Sequence, residues 1–209
     1  MSDVSPEAAV RAVTTSYLRA FGELLRGIDV EAIQRIASRL TRARDAEAAI
    51  YVAGNGGSAA IASHWVNDLC KATKRPGYPP MRVHSLSDNV SWLTALANDE
   101  GYDRVFSGQL ENFARPGEVL VVISSSGNST NLLKAVELAQ SRTLTTIGFL
   151  GFDGGILRHK VDDYLLVPTE KGSYGLVEPA HDMICHILTV CLAESCHAPE
   201  AVSPVSRAS

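Results

Sequence analysis

Glu118-Val119-Leu120-Val121-Val122-Ile123-Ser124 runs directly into Ser125-Ser126-Gly127-Asn128-Ser129-Thr130-Asn131, and helix-spaced apolar residues follow as far as Ser141. A continuous apolar run closed by turn residues is the signature of a strand buried on both faces. The helix after it, with Leu132, Leu133, Val136 and Leu138, makes the unit strand–loop–helix. Five hydroxyls fall within the seven residues Ser124–Thr130. A capping turn is the plain reading of Ser and Asn at a helix start, but it rarely needs so many. Hydroxyls, small residues and free backbone amides at a helix N-terminus suit a phosphate, which gains hydrogen bonds and the positive end of the helix dipole.

The same alternation extends in both directions. Upstream, Ala49-Ile50-Tyr51-Val52-Ala53 reads as a buried strand that ends in Gly54-Asn55-Gly56-Gly57-Ser58, with a helix from Ser58 to about Thr73. Met81–Leu86 is strand-like, and helical segments are expected over Asn89–Ala97 and Tyr102–Phe113. Downstream, Thr145–Leu150 and Asp163–Pro168 read as strands, and a last helix is expected from about Pro179 to Ser195. Strands alternating with helices predict a doubly wound α/β fold: a five-stranded parallel sheet covered by helices on both faces. Ligands in such sheets bind outside the carboxyl ends of the strands, where both Gly/Ser loops fall. The glycine loop is neither a GxGxxG fingerprint nor a P-loop, because no Gly-Lys-Ser/Thr follows it. It gains weight from being paired with the serine loop.

Two helices precede the first strand. Ser5-Pro6 is an N-cap followed by Pro at the first helical position. Apolar spacing then continues through Val10, Val13, Tyr17, Phe21 and Leu24-Leu25 to Gly27. A second helix after Asp29 carries Val30, Ile33, Ile36 and Leu40 on one face. The 209 residues suit one domain. The expected division is N-terminal helices over 1–47, a core over 48–197 and a disordered, Pro-containing tail over 198–209. The net charge of −4 argues against general attraction to nucleic acid or an anionic membrane. No apolar run of membrane-span length and no secretory-type start are read, so a cytoplasmic protein is expected. Cys70, Cys185, Cys191 and Cys196 form no CxxC pair and read as free thiols in a reducing compartment.

Several side chains can carry chemistry. His64 and Asp68, four residues apart, share one helix face. Glu178 and His186, eight apart, are about two turns apart. Histidines with carboxylates bind a divalent metal or exchange protons. The plain alternative is satisfied structural histidines with surface carboxylates. It fits His84, His159 and His197, and it stays open for His181. Trp65 and Trp92 read as core or subunit contacts, and Thr41-Arg42-Ala43-Arg44 as a solvated helix end.

The set Gly54–Ser58 with His64, Ala97-Asn98-Asp99, Ser124–Ser129, Gly151-Phe152-Asp153-Gly154-Gly155, Val167-Pro168, and His181 with His186 resembles the sugar isomerase (SIS) domain. Within it, the chain is similar to the sedoheptulose 7-phosphate isomerase (phosphoheptose isomerase) family, as a divergent member. The two leading helices match that family too. The resemblance implies an aldose–ketose isomerase of a phosphorylated sugar, in the cytoplasm. It also implies a homotetramer with sites at subunit interfaces, to which residues 1–47 would contribute contacts. It implies Asp68 as the base and His186 as its partner acid/base, with Asn55, Gly56, Gly57, Ser58, Asp99, Ser124, Ser125, Ser126 and Ser129 on the substrate. Some relatives bind zinc at the positions of His64, Asp68, Glu178 and His186.

The chain departs from the family where specificity lies. Asp68 stands for a glutamate and Glu178 for a glutamine. Ala72 stands for an arginine, and Leu176-Val177-Glu178-Pro179 for an Arg-Ile-Gln-Glu run. The shorter Asp68 moves a carboxylate by about 1 Å, a shift that can cost on the order of 100-fold in rate. The competing expectation is a non-catalytic SIS module like the replication-initiator-associating adaptor DiaA, which lacks the base and the last histidine. A sugar-phosphate-sensing regulator would usually carry a DNA-binding domain.

Overall fold

The computed structural model describes residues 5–195. The tail and Cys196 and His197 lie outside the described residues. The elements are α1 (Pro6–Arg26), α2 (Val30–Asp45), β1 (Ala49–Gly54), α3 (Gly57–Ala72), β2 (Arg82–Ser85), α4 (Val90–Asp99) and α5 (Ser107–Phe113). They continue with β3 (Val119–Ser124), α6 (Thr130–Ser141), β4 (Thr145–Gly151), β5 (Asp163–Val167) and α7 (Tyr174–Glu194). All strand pairs are parallel, in the order β2-β1-β3-β4-β5. The expected doubly wound fold is therefore the observed one.

Alternation along each strand divides the core in two. Ile50 and Val52, Val121 and Ile123, Ile147 and Phe149, and Leu165 and Val167 face α2, α3 and α7. Ala49, Tyr51 and Ala53, Leu120 and Val122, and Leu150 face α4, α5 and α6. Each face is thus covered by three helices, which is why the central strands β1 and β3 read as unbroken apolar runs. Strand order reverses between β1 and β3, and Gly54 of β1 is level with Ile123 of β3. The loops after these two strands lie side by side at the switch point, where ligands of open α/β sheets bind.

The helix starts follow the capping logic. Ser5 accepts from the Ala8 amide, and Asp29 accepts from the Ala32 amide. That amide holds the Asp29 carboxyl below its usual range. α2 buries Ile33, Ile36 and Leu40. α1 buries none of its residues, and only Phe21, Leu24 and Leu25 lean on the core.

Four local expectations change. Tyr102–Phe113 is a 3-10 turn over Tyr102–Arg104 and then α5. The run Val105–Leu110 is buried throughout, which no single amphipathic helix face allows. α7 begins at Tyr174, five residues before Pro179. Pro179 has no N–H for the carbonyl four residues earlier, and the Tyr17 hydroxyl donates to that Gly175 carbonyl instead. Arg44, expected in solvent, is 2% exposed. It lies over the Tyr78 ring and donates to the Leu192 carbonyl and the Ser195 hydroxyl. Finally, contrary to the expectation of no such run, α7 is 21 residues long and reaches the length and apolar content of a membrane span. Half of its most apolar stretch is buried in the protein, where Val177, Ala180, Ile184 and Leu188 join the core. Cys185 is buried, and Cys70 and Cys191 are exposed free thiols.

Candidate active site

The serine loop has two kinds of hydroxyl. Ser124 Oγ accepts from the Gly127 amide at 3.0 Å, and Ser126 Oγ accepts from the Asn128 amide at 3.3 Å. These two brace the turn. The Ser125 hydroxyl is buried with no hydrogen-bond partner. Ser129 is the N-cap of α6, yet its side chain caps nothing. The turn is held from below as well. Gly127 has φ +64°, and a Cβ there would collide with the Gly154 carbonyl. Asn128 accepts from the Ile156 amide at 3.0 Å, which ties Gly151–Gly155 to the serine loop.

The glycine loop is fastened to the serine loop by an amide pair. Asn55 and Asn131 exchange hydrogen bonds of 3.0 and 2.9 Å, and the Tyr102 hydroxyl donates to Asn55 at 3.0 Å. Gly56 caps α3 with φ +54°. A Cβ on Gly57 would strike the Glu178 carboxylate, so the missing side chain lets that carboxylate lie against the start of α3. A cavity of about 140 Å³ results, lined by Asn55, Ser58, Ser124, Ser125, Ser126 and Ser129, with Glu178 and Tyr174 on its wall. Through Glu178 it shares a wall with a larger cleft of about 670 Å³ bounded by Tyr17, Gly57, His64, Glu178 and Asp182. That volume is typical of a small-molecule site.

The acid/base groups meet beside this cleft. α3 packs against α7, which brings His64 and Asp68 to His186. His64 Nε2 is 3.7 Å from Asp68 Oδ2, and His186 Nδ1 is 3.1 Å from the same oxygen. The two imidazoles meet edge to face at 5.0 Å. Asp182 closes the ring: its carboxylate lies 3.2 Å from His64 Nδ1 and 3.9 Å from His186 Nε2. Each histidine thus has one nitrogen toward each aspartate. Sequence reasoning missed Asp182, although a signal was there: positions 178, 182 and 186 are successive turns of one helix face, the spacing already used for His64 and Asp68.

Two expected site residues stand apart from the ring. Glu178 reaches the loop cavity and not the histidines. Asp99 ends α4, accepts from Asn98 at 2.7 Å and lines neither cavity. His181 is turned from the ring-bearing face of α7 into the core, where it is fully buried and neither ring nitrogen makes a hydrogen bond of good geometry. Burial pushes it down to about 4, against a weaker opposing effect of the Leu150 backbone, so it is a neutral core residue. Burial also raises the Cys185 thiol well above its usual range, with Asp182 and Asp68 adding to the effect.

The donor set suits a divalent cation. Donor atoms of His64, Asp182 and His186 all lie within 4.8 Å of one another. Ligands about 2.1 Å from a tetrahedral centre are about 3.4 Å apart. The 3.2 Å and 3.9 Å separations of the Asp182 carboxylate from His64 Nδ1 and His186 Nε2 lie on either side of that edge.

A hydroxyl-lined cavity opening beside an imidazole–carboxylate ring, at the switch point of a doubly wound parallel sheet, is the arrangement of a small-molecule-binding α/β domain. The SIS-domain family model matches residues 16–151. The chain is 40% identical over 179 residues to the phosphoheptose isomerase of Geobacter sulfurreducens, covering 83% of this chain and 92% of that one. It is 38% identical over 158 residues to that of Trichlorobacter lovleyi, covering 75% and 78%. Among solved structures, a phosphoheptose isomerase from Neisseria gonorrhoeae superposes with a TM-score of 0.79 at 31% identity, over 90% of this chain and 98% of that one. One from Francisella tularensis gives 0.80 at 25% identity, over 91% and 100%. This chain belongs to the SIS-domain family and, within it, to the phosphoheptose isomerases.

Proposed function

We propose that the protein interconverts a ketose phosphate and an aldose phosphate, with sedoheptulose 7-phosphate or a related long-chain ketose phosphate as substrate. Membership of the family supports the reaction class. The observation that carries the placement is the unpartnered, buried Ser125 hydroxyl at the cavity of about 140 Å³, beside the cleft of the histidine–aspartate ring. A buried hydroxyl without a partner costs free energy that an incoming phosphate oxygen would recover. In this reading Ser124 and Ser126 shape the turn, Ser125 and Ser129 bind the phosphate, and Asn55, Gly56, Gly57 and Ser58 supply the second wall.

The sugar then extends into the cleft toward His64, Asp68 and His186. Asp68 removes a proton from C1 of the ketose, and His186 gives one to the C2 carbonyl oxygen. The product of that step is the enediol. Asp68 returns its proton to C2, and His186 takes the proton from the C1 hydroxyl, which leaves the aldehyde. Both groups end as they began. Their 3.1 Å contact keeps the two groups on the same pair of carbons through both steps. His64, His186 and a neighbouring carboxylate would hold a zinc ion, which would supply Lewis-acid polarisation at the sugar oxygen that the metal-free His186 protonates. The adaptor alternative is disfavoured, since the base position, His64 and His186 are all retained and converge. Homotetramer formation, a cytoplasmic setting, the division at residues 47 and 197, and a role for Asp99 across a subunit interface complete the proposal.

The test is incubation with sedoheptulose 7-phosphate, with and without zinc, while aldose appearance is followed by NMR. Asp68→Asn should lower turnover by at least about 100-fold, the scale of general acid–base catalysis. A folded wild-type protein that yields no aldose under either condition overturns the reading. Full activity in Asp68→Asn removes Asp68 from the base role.

A further inference from the structure

We infer that Asp182 holds the cation in this chain and that Glu178 has been released to face the sugar. The inference rests on the isomerase reading above, and it changes which side chain does what. Resemblance assigns the ligand place on the early part of α7 to position 178. Position 182 is one turn nearer His186 on the same face. Its carboxylate is 3.2 Å from His64 Nδ1, and its other oxygen is 3.9 Å from His186 Nε2. Its donor atom groups with those of both histidines within 4.8 Å.

Glu178 has no such relation. It lies against Gly57 at the start of α3, where even a methyl group would displace it. Among the described residues it is the one carboxylate that borders both the serine-lined cavity and the larger cleft. Two histidines with Asp182 already make a three-donor set, the number a catalytic zinc site takes from protein while keeping a position open for substrate or water. A fourth carboxylate is not needed, and Asp68 stays available next to His186. The cation expected is a divalent ion that favours nitrogen and oxygen ligands, zinc among them. Glu178, at the junction of the two cavities, is placed to accept hydrogen bonds from sugar hydroxyls beyond the reacting carbons.

The experiment separates cation binding from catalysis. Full-length wild-type protein, Asp182→Asn and Glu178→Gln are stripped with a chelator and titrated with Zn²⁺ and Co²⁺. Bound metal is read by elemental analysis, and the Co²⁺ environment by its visible spectrum. Loss of a group that only supports a ligand typically weakens metal binding 10–100-fold, and loss of a ligand should cost no less. Asp182→Asn is therefore expected to bind at least about 10-fold more weakly, with an altered Co²⁺ spectrum. Glu178→Gln should bind as the wild type does and show instead a raised KM for the phosphosugar. Weakened metal binding in Glu178→Gln with wild-type binding in Asp182→Asn overturns the assignment, and so does a wild type that takes up no metal. Circular dichroism of each variant confirms that it is folded; both side chains are at the cleft surface. Metal binding as expected without sugar turnover would sink the isomerase reading and leave the assignment of Asp182 standing.

Discussion

Ser125 shows how much one side chain of the serine loop decides. Its neighbours Ser124 and Ser126 spend their oxygens on the amides of Gly127 and Asn128, and only the middle hydroxyl is left buried and unpaired. In sequence the three serines are indistinguishable. The difference arises because Gly127, at φ +64°, turns the chain back over Gly154. A hydrogen bond to a charged group contributes about 1.5–3 kcal/mol. Ser125→Ala should therefore weaken phosphosugar binding by about 10-fold or more. It should leave the unfolding midpoint in urea unchanged or slightly raised, because the free protein loses only an unsatisfied group. Isothermal titration with the sugar phosphate, beside a urea melt, checks both halves. A destabilised variant with unchanged affinity would make Ser125 a structural residue.

Among the elements, α7 is the least legible, although the strands and α3 can be read almost to the residue. β1 and β3 announce themselves because they are buried along their whole length, a consequence of lying inside a sheet covered on both faces, and β4 and β5 through the apolar runs Ile147–Leu150 and Tyr164–Val167. The start of α7 does not, because it is settled by a partner 158 residues away. Proline normally opens a helix, so Pro179 read as the first turn. In the fold it sits one turn inside, and Tyr17 of α1 satisfies the carbonyl that Pro179 leaves idle. The same distance rule hid the burial of Arg44, whose partners Tyr78, Leu192 and Ser195 lie on other segments. Asp182, by contrast, was readable from helical spacing. Tyr17→Phe tests the α1–α7 tie. Losing one hydroxyl contact of this kind costs about 0.5–1 kcal/mol, or a fall in melting temperature of roughly 1–4 °C for a chain of this size. Gly175 and Glu178 both border the cleft, so KM for the sugar should rise as well. Unchanged melting and unchanged KM would mean that Tyr17 is dispensable to α7.

At the scale of the whole molecule, α1 is the part that the single chain does not explain. The two core clusters are complete without it, and none of its residues is buried. Yet Val10, Val13 and Leu18 are 67%, 70% and 64% exposed along a 21-residue helix. Single exposed apolar residues are ordinary, but a group of them on one long helix marks a contact surface. Full burial of each would contribute about 1.5–3 kcal/mol, enough in sum to matter to association when repeated in every subunit of a symmetric oligomer. The other half of the helix leans on the core through Phe21, Leu24 and Leu25, so α1 would hold its place when a neighbouring chain docks. The proposed homotetramer accounts for this surface, and it would let α4 and its exposed end at Asp99 approach a neighbour's cleft. Replacing Val13 and Leu18 together by Glu should therefore shift the sedimentation coefficient from tetramer to a smaller species, with the far-ultraviolet circular dichroism kept. Turnover should fall with it if sites are shared between subunits. A wild type that sediments as a monomer at micromolar concentration, or a double variant that stays tetrameric, would remove α1 from the assembly and with it the reason for its exposed apolar face.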